Sequence, residues 1–240
     1  NASVSAGIKR SYDFNGSSQD GVGWYQVNAY KGKRQSAATC FLKPEKWREN
    51  LKIFTDLEAS RICFQNRKAI HVEAKDQFGK DYCIKANNEI ILTSGSFHSP
   101  KLLMLSGIGP ANELLRHGID VIYDSNEVGA NYQDHVGTPV TRRLKSANGL
   151  YGEDKGLKAL KNSFNYFVLN RGLLTSNLLQ AGACVDSNGG GRPDIQYNFA
   201  PFAPGLPGEP PLPFHAIQIH PMTMRPKSRG RLTLNSKNSY

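Results

Sequence analysis

The chain is predicted to be α+β, an α/β segment joined to an antiparallel sheet with helices, and three stretches of its 240 residues carry that prediction. Residues 89–93, Glu-Ile-Ile-Leu-Thr, form an almost unbroken apolar run that ends in Ser94-Gly95-Ser96 and leads into a helix, the order of a parallel strand–turn–helix unit. Residues 155–170 set Leu157, Leu160, Phe164 and Phe167 or Val168 at helical spacing, with Arg171 and Gly172 in the stop positions. Residues 195–200 alternate as a half-buried strand does, and residues 214–224 and 231–234 also have strand character, so the C-terminal part reads as antiparallel sheet.

The remaining elements follow in order. Residues 15–23 are turn chemistry, Asn-Gly-Ser-Ser-Gln-Asp-Gly-Val-Gly, and deliver the chain into a strand over 24–29. A turn at Gly32 precedes a short helix over 36–42, stopped by Pro44. Strands are expected at 51–55, 59–64, 69–74 and 82–86, the last two paired as a hairpin around Asp76-Gln77-Phe78-Gly79. After the strand at 89–93, Ser99 is placed to cap a helix with Pro100 at its first position, Leu102, Leu103 and Leu105 on its apolar face, and Gly107 and Gly109 as its stop. Pro110 opens a second short helix ending at Gly118, and residues 119–123 read as a strand. Residues 187–193 form a Gly-rich turn, and residues 201–213, with six prolines, form a loop.

Composition narrows the function classes. At 39% hydrophobic and 21% charged, the chain is globular rather than disordered or fibrous. Its net charge of +10 would suit a nucleic acid only if the basic residues clustered, and the tightest group, Arg225, Lys227, Arg229 and Arg231, has strand spacing and reads as one solvated face; no nucleic-acid partner is expected. No stretch approaches a membrane span, and residues 1–7 do not resemble a signal peptide. The absence of a starting Met suggests a chain that begins after processing or cutting. Cys40, Cys63, Cys83 and Cys184 are dispersed without paired spacing and are expected to be reduced, buried thiols of a cytoplasmic protein.

Several chemistries lack their signatures. There is no Gly-x-Ser-x-Gly elbow, neither Gly-Lys pair continues into a phosphate-binding loop, and no two histidines share a helix face, so no metal site is expected. Asp134-His135 sets a carboxylate beside an imidazole, but neighbours on a strand face opposite ways, and a structural turn is the alternative reading. The informative stretch is Gly95-Ser96-Phe97-His98-Ser99-Pro100-Lys101-Leu102-Leu103-Met104-Leu105-Ser106-Gly107-Ile108-Gly109. A strand that turns through glycine into a helix lets backbone approach a flat or phosphorylated ligand, although simple close packing accounts for the same pattern.

This stretch resembles the second signature of the glucose–methanol–choline (GMC) family of FAD-dependent oxidoreductases at every constrained position. Similarity extends to Asp13-Phe14-Asn15-Gly16, to Gly32-Lys33-Arg34-Gln35-Ser36, to Val128-Gly129-Ala130-Asn131-Tyr132-Gln133-Asp134-His135, and to Arg225-Pro226-Lys227-Ser228-Arg229-Gly230. The departures are Tyr132 in place of the usual Leu, Asn238-Ser239 in place of Asp-Pro, and a less apolar Glu58-Ala59; no Gly-x-Gly-x-x-Gly occurs anywhere.

The resemblance implies a central fragment of a choline dehydrogenase-like enzyme that oxidises a small-molecule alcohol by hydride transfer to FAD. It implies an FAD-binding domain over residues 31–135 and a substrate domain from residues 1–30 and 136–240. Cofactor contacts are expected at Ala59, Ser94, Gly95, Asn131, Asp134 and His135. No catalytic residue is expected within the chain, because the family's base and the dinucleotide fingerprint would lie in N- and C-terminal segments beyond it. Two other readings are a non-catalytic module completed by a partner, and a flavin-containing hydroxynitrile lyase.

Overall fold

A computed structural model describes residues 1–205 and 208–238, so Leu206 and Pro207 of the proline-rich loop, and Ser239 and Tyr240 at the end, lie outside the described residues. The chain opens with α1 (Ala2–Ser5), β1 (Gly21–Trp24), a small hairpin of β2 (Ala29–Tyr30) and β3 (Lys33–Arg34), and a π-helical turn at Ala38–Leu42. It continues through β4 (Leu57–Gln65), β5 (Lys68–Asp76), β6 (Asp81–Lys85), α2 (Gly95–Leu105), β7 (Ile108–Gly109), α3 (Ala111–Arg116) and β8 (Tyr123–Asp124). The remainder is β9 (Val136–Gly137), β10 (Val140–Arg143), α4 (Gly156–Phe167), a 3-10 turn at Leu173–Thr175, β11 (Ala181–Val185), β12 (Ile195–Ala200) and β13 (Ala216–Thr223).

These elements form two compact units, Asn1–Arg48 with His135–Pro226, and Glu49–Asp134 with Lys227–Tyr240. Residues 31–48 therefore group with the first unit and residues 227–240 with the second, whereas the sequence reading put its boundaries at 30/31 and 135/136.

The first unit is an antiparallel sheet in the order β1-β11-β12-β13-β10, with β9 also paired to β13. Strand β12 lies where the alternation predicts it, and β13 falls within the 214–224 stretch of strand character. Strand β11, Ala-Gly-Ala-Cys-Val, was not legible, because its small residues carry no strand propensity. Its role is tertiary: the Tyr25 hydroxyl lies so close to Gly182 that any Cβ there would collide with it, and the same hydroxyl bonds Asn198 Oδ1 at 2.7 Å. Burial raises the Tyr25 pKa, so this hydroxyl stays protonated. The strand expected at 24–29 instead starts in the glycine-rich run, at Gly21, where β11 supplies the partner. Helix α4 forms as its periodicity predicts, yet its apolar face is open, with Leu157 84% and Phe167 76% exposed.

The second unit is the meander β4-β5-β6 packed against α2. The predicted hairpin is present as β5 and β6, with Ala74 opposite Tyr82. Asp76 fixes the turn: its Oδ1 accepts the Phe78 and Lys80 amides, both at 2.9 Å, and its Oδ2 accepts the Tyr82 hydroxyl at 3.2 Å. Met104, Leu105, Leu114 and Ile119 form the core, with Val121, Val128 and Leu234 against it. Buried Ser106 ties helix to sheet by accepting the Ile62 amide at 2.8 Å and donating to the Leu102 carbonyl at 2.5 Å.

Several expectations are corrected here. Residues 51–55 and 89–93 are not strands, and Ile91 is 72% exposed; an apolar run becomes a strand only when another strand offers it a ladder, and none of the described residues does so at 89–93. Of 119–123 only Tyr123 belongs to a strand, the short parallel pair β7–β8. Residues 231–234 are not a strand; they are held by Leu232 to the Gly129 carbonyl and by the Leu234 amide to buried Glu113, at 2.8 and 2.6 Å. The four basic side chains nearby are exposed, with Arg225 donating to the Pro193 carbonyl and Arg231 to that of Asn126. All four cysteines are free, but only Cys184 is buried: Cys40 and Cys83 are exposed and Cys63 is half-buried. Partial burial, followed by the Glu73 carboxylate, pushes the Cys63 thiol up to about 11.

Candidate functional site

The start of α2 differs from the sequence expectation in a way that creates the site. Gly95, not Pro100, is the first helical residue, and Ser94 occupies the cap position without a side-chain cap bond. Gly95 has φ +83°, a left-handed conformation that lets the extended segment before it turn into the helix. Among the described residues no atom beyond its chain neighbours and its own helix backbone lies within 4 Å of where its Cβ would stand, so the glycine is required by backbone conformation and not by packing. Pro100 consequently sits inside the helix. Having no N–H, it leaves the Ser96 carbonyl without its usual i+4 donor.

That first stretch of helix borders a groove of about 570 Å3. One wall is Ser96, Ser99, Pro100 and Leu103; the other is the loop from Glu127 to Gln133, and Leu232 also contributes. The loop is shaped by Asn131, which takes a left-handed φ of +58°, and by the Tyr132–Gly230 pairing, in which each amide donates to the other's carbonyl. The Tyr132 ring rests on Phe97 at 5.2 Å, and its hydroxyl donates to Asp134 Oδ2 at 3.3 Å. Partial desolvation and then Asp134 raise the Tyr132 pKa, keeping it a neutral donor. A mostly apolar groove with a few hydroxyl, amide and carbonyl groups is the chemistry of a site for a flat organic ligand.

Of the six residues singled out from sequence, Asn131 lines this groove, while Ser94 and Gly95 form the helix entrance beside Ser96. Ala59 lies on β4 opposite Ala74, on the strand against which α2 packs. Asp134 is two residues beyond the loop's Tyr132 and bonded to it. His135 belongs to the other unit, where its Nδ1 is 2.9 Å from the Thr223 carbonyl.

Ser96, Ser99, Leu103 and Leu232 were not anticipated as lining residues. Both partner motifs, 128–135 and 225–230, were visible in sequence, but their pairing through Tyr132 and Gly230 was not. A second concavity, about 330 Å3, lies on the sheet unit and is lined by residues including Leu178, Leu179, Phe202, Asn198, Gln218 and His220.

The chain is 37% identical over 235 residues to an oxygen-dependent choline dehydrogenase of Brucella anthropi, an overlap that takes in 97% of this chain and 42% of that protein. It is 35% identical over 240 residues to an alcohol dehydrogenase (acceptor) of Pseudomonas putida, covering 99% of the chain and 44% of the relative. The chain thus spans about two fifths of the length of the curated relatives it matches. Among solved structures, formate oxidase superposes with a TM-score of 0.77 at 29% identity, covering 87% of this chain and 41% of that one. Pyridoxine 4-oxidase from Mesorbium loti superposes with a TM-score of 0.81 at 22% identity, covering 99% and 43%, a likeness of fold. The GMC oxidoreductase profile matches residues 1–137, more than half of the chain, and with the groove built from the family's own motifs the chain belongs to the GMC oxidoreductase family.

Proposed function

We propose that the chain is the central part of an FAD-dependent oxidoreductase that acts on the CH–OH group of a small alcohol, with choline the first substrate to test. The observation that carries the reading is the groove at the start of α2, set by Gly95 and walled by the loop of Asn131. The residues fit a flavin dinucleotide's needs in kind: open space over a left-handed glycine, a helix carbonyl left without its donor by Pro100, hydroxyls on Ser96 and Ser99, and apolar walls from Leu103, Val128 and Leu232. When bound, FAD supplies the hydride acceptor.

The chain's own residues then bind and exclude water. Ser96, Ser99 and Asn131 orient polar edges, Leu103 and Leu232 shield one wall, and the neutral Tyr132 hydroxyl holds Asp134 against the loop. The concavity on the sheet unit, taken by itself, could receive a small alcohol, with Asn198, Gln218 and His220 as polar groups among apolar ones. No residue of the chain is assigned as the proton acceptor. The open face of α4 supports a longer protein, because a helix whose long apolar side chains are mostly exposed is covered in a stable assembly.

The test is anaerobic mixing of the full-length protein with choline and with simple primary alcohols, following flavin absorbance. Bleaching by one of them supports the reading; a purified protein that holds no flavin, or a flavin that no alcohol reduces, overturns it.

A further inference from the structure

The outer face of the meander carries a set of side chains that the proposed reaction does not use. In the register of β4 on β5, Cys63 stands opposite His71 and Arg61 opposite Glu73, so Cys63, His71 and Glu73 share the face turned away from buried Ile62 and Ala74. The ladder is irregular between Ala59 and Arg61 and again between Cys63 and Phe64, so these facing pairs lie between two bulges, the device by which sheets re-aim side chains. One ligand atom from each of Cys63, His71 and Glu73 lies within 4.8 Å of the other two, with His71 Nε2 3.9 Å from Glu73 Oε1.

We propose that Cys63, His71 and Glu73 form a binding site for a divalent ion of the zinc type. Tetrahedral coordination at metal–ligand distances of about 2.0–2.3 Å sets the ligand atoms roughly 3.3–3.6 Å apart. The observed separations need to close by only about 1 Å, which side-chain rotation on a solvent-facing sheet supplies without backbone movement. A thiolate, an imidazole and a carboxylate select a borderline-soft ion over magnesium or calcium, which prefer all-oxygen shells. Cationic neighbours sharpen this choice: Arg61 lies opposite Glu73 and Lys85 opposite His71, so a hard ion held by charge alone is disfavoured and the metal–sulfur bond must provide the grip. Binding replaces the S–H bond of Cys63 by an S–metal bond and releases one proton to solvent; there is no change of oxidation state. Water completes the fourth position. Sequence spacing misses this site because the cysteine and the histidine, eight positions apart, meet only across an antiparallel ladder.

Cobalt(II) titrated into the metal-stripped full-length protein should give one saturable site with a sulfur-to-cobalt charge-transfer band in the difference spectrum, displaced by zinc and not by magnesium. Cys63→Ser should remove the band. His71→Gln and Glu73→Gln should each weaken binding by at least on the order of tenfold, and Cys40→Ser, which alters an exposed cysteine of the other unit, should leave it intact. Circular dichroism reports whether each variant folds; if Cys63→Ser does not, the exposed Glu73→Gln decides. Absence of a one-to-one site, a band that survives Cys63→Ser or disappears with Cys40→Ser, or unchanged affinity in Glu73→Gln would overturn the proposal.

Discussion

Three positions carry separable consequences at the scale of single residues. Ser106 is fully buried and its oxygen takes the Ile62 amide, so Ser106→Ala strands a buried N–H at the junction of helix and sheet. The expected loss is about 1–3 kcal/mol in urea unfolding, and a change within error would mean the amide finds another partner. Gly95→Val meets no neighbour but forces a branched residue to φ +83°, so it should both destabilise and lower the ratio of flavin to folded protein in the full-length enzyme. An unchanged flavin ratio with a lowered melting temperature would reduce Gly95 to a purely structural role. His135, with Nδ1 on the Thr223 carbonyl, is a positioning group in our reading. His135→Gln should cost stability or flavin content while the pH profile of turnover keeps its position; a loss of several orders of magnitude with flavin bound would make His135 the proton acceptor.

At the scale of elements, the β5–β6 hairpin has a built-in acid sensitivity. The Lys80 amide, followed by the Phe78 amide and the Tyr82 hydroxyl, lowers the Asp76 pKa below its ordinary 3.8. A depressed carboxylate stabilises the fold above the unfolded value, and that contribution is lost as pH falls through the folded one. The stability margin of the wild type over Asp76→Asn should therefore be full above pH 3.8 and shrink below it, as read from urea midpoints across that range. A margin that does not vary with pH would show that the turn needs only an acceptor oxygen and not its charge.

The whole molecule bears on cofactor retention. A dinucleotide is gripped chiefly at its pyrophosphate, by a glycine turn and the helix N-terminus that follows it, and no Gly-x-Gly-x-x-Gly occurs in the 240 residues. The groove at α2 offers walls and a few hydrogen-bonding groups but no such turn. Expressed alone, the chain should purify colourless, and near-stoichiometric flavin absorbance in that preparation would show that the groove suffices.

Local chemistry was enough to determine much of this protein. The 69–74 and 82–86 hairpin, helix α4, strand β12 and the motif stretches around Gly95 and Asn131 were legible because each is dictated by neighbours in sequence: turn residues, 3.6- or 2-residue periodicity, and glycine or asparagine where the backbone turns left-handed. Tertiary structure decided whatever depends on a distant partner. The apolar run at 89–93 stays extended without a ladder, while the unremarkable Ala181–Val185 becomes a central strand because β1 and β12 flank it. Leu232 enters the groove because Gly230 pairs with Tyr132, and Cys63 meets His71 because β4 folds back on β5. Periodicity specifies which face of an element is apolar, but which element meets that face is set by backbone pairing and packing across the fold, and sequence spacing does not encode those contacts.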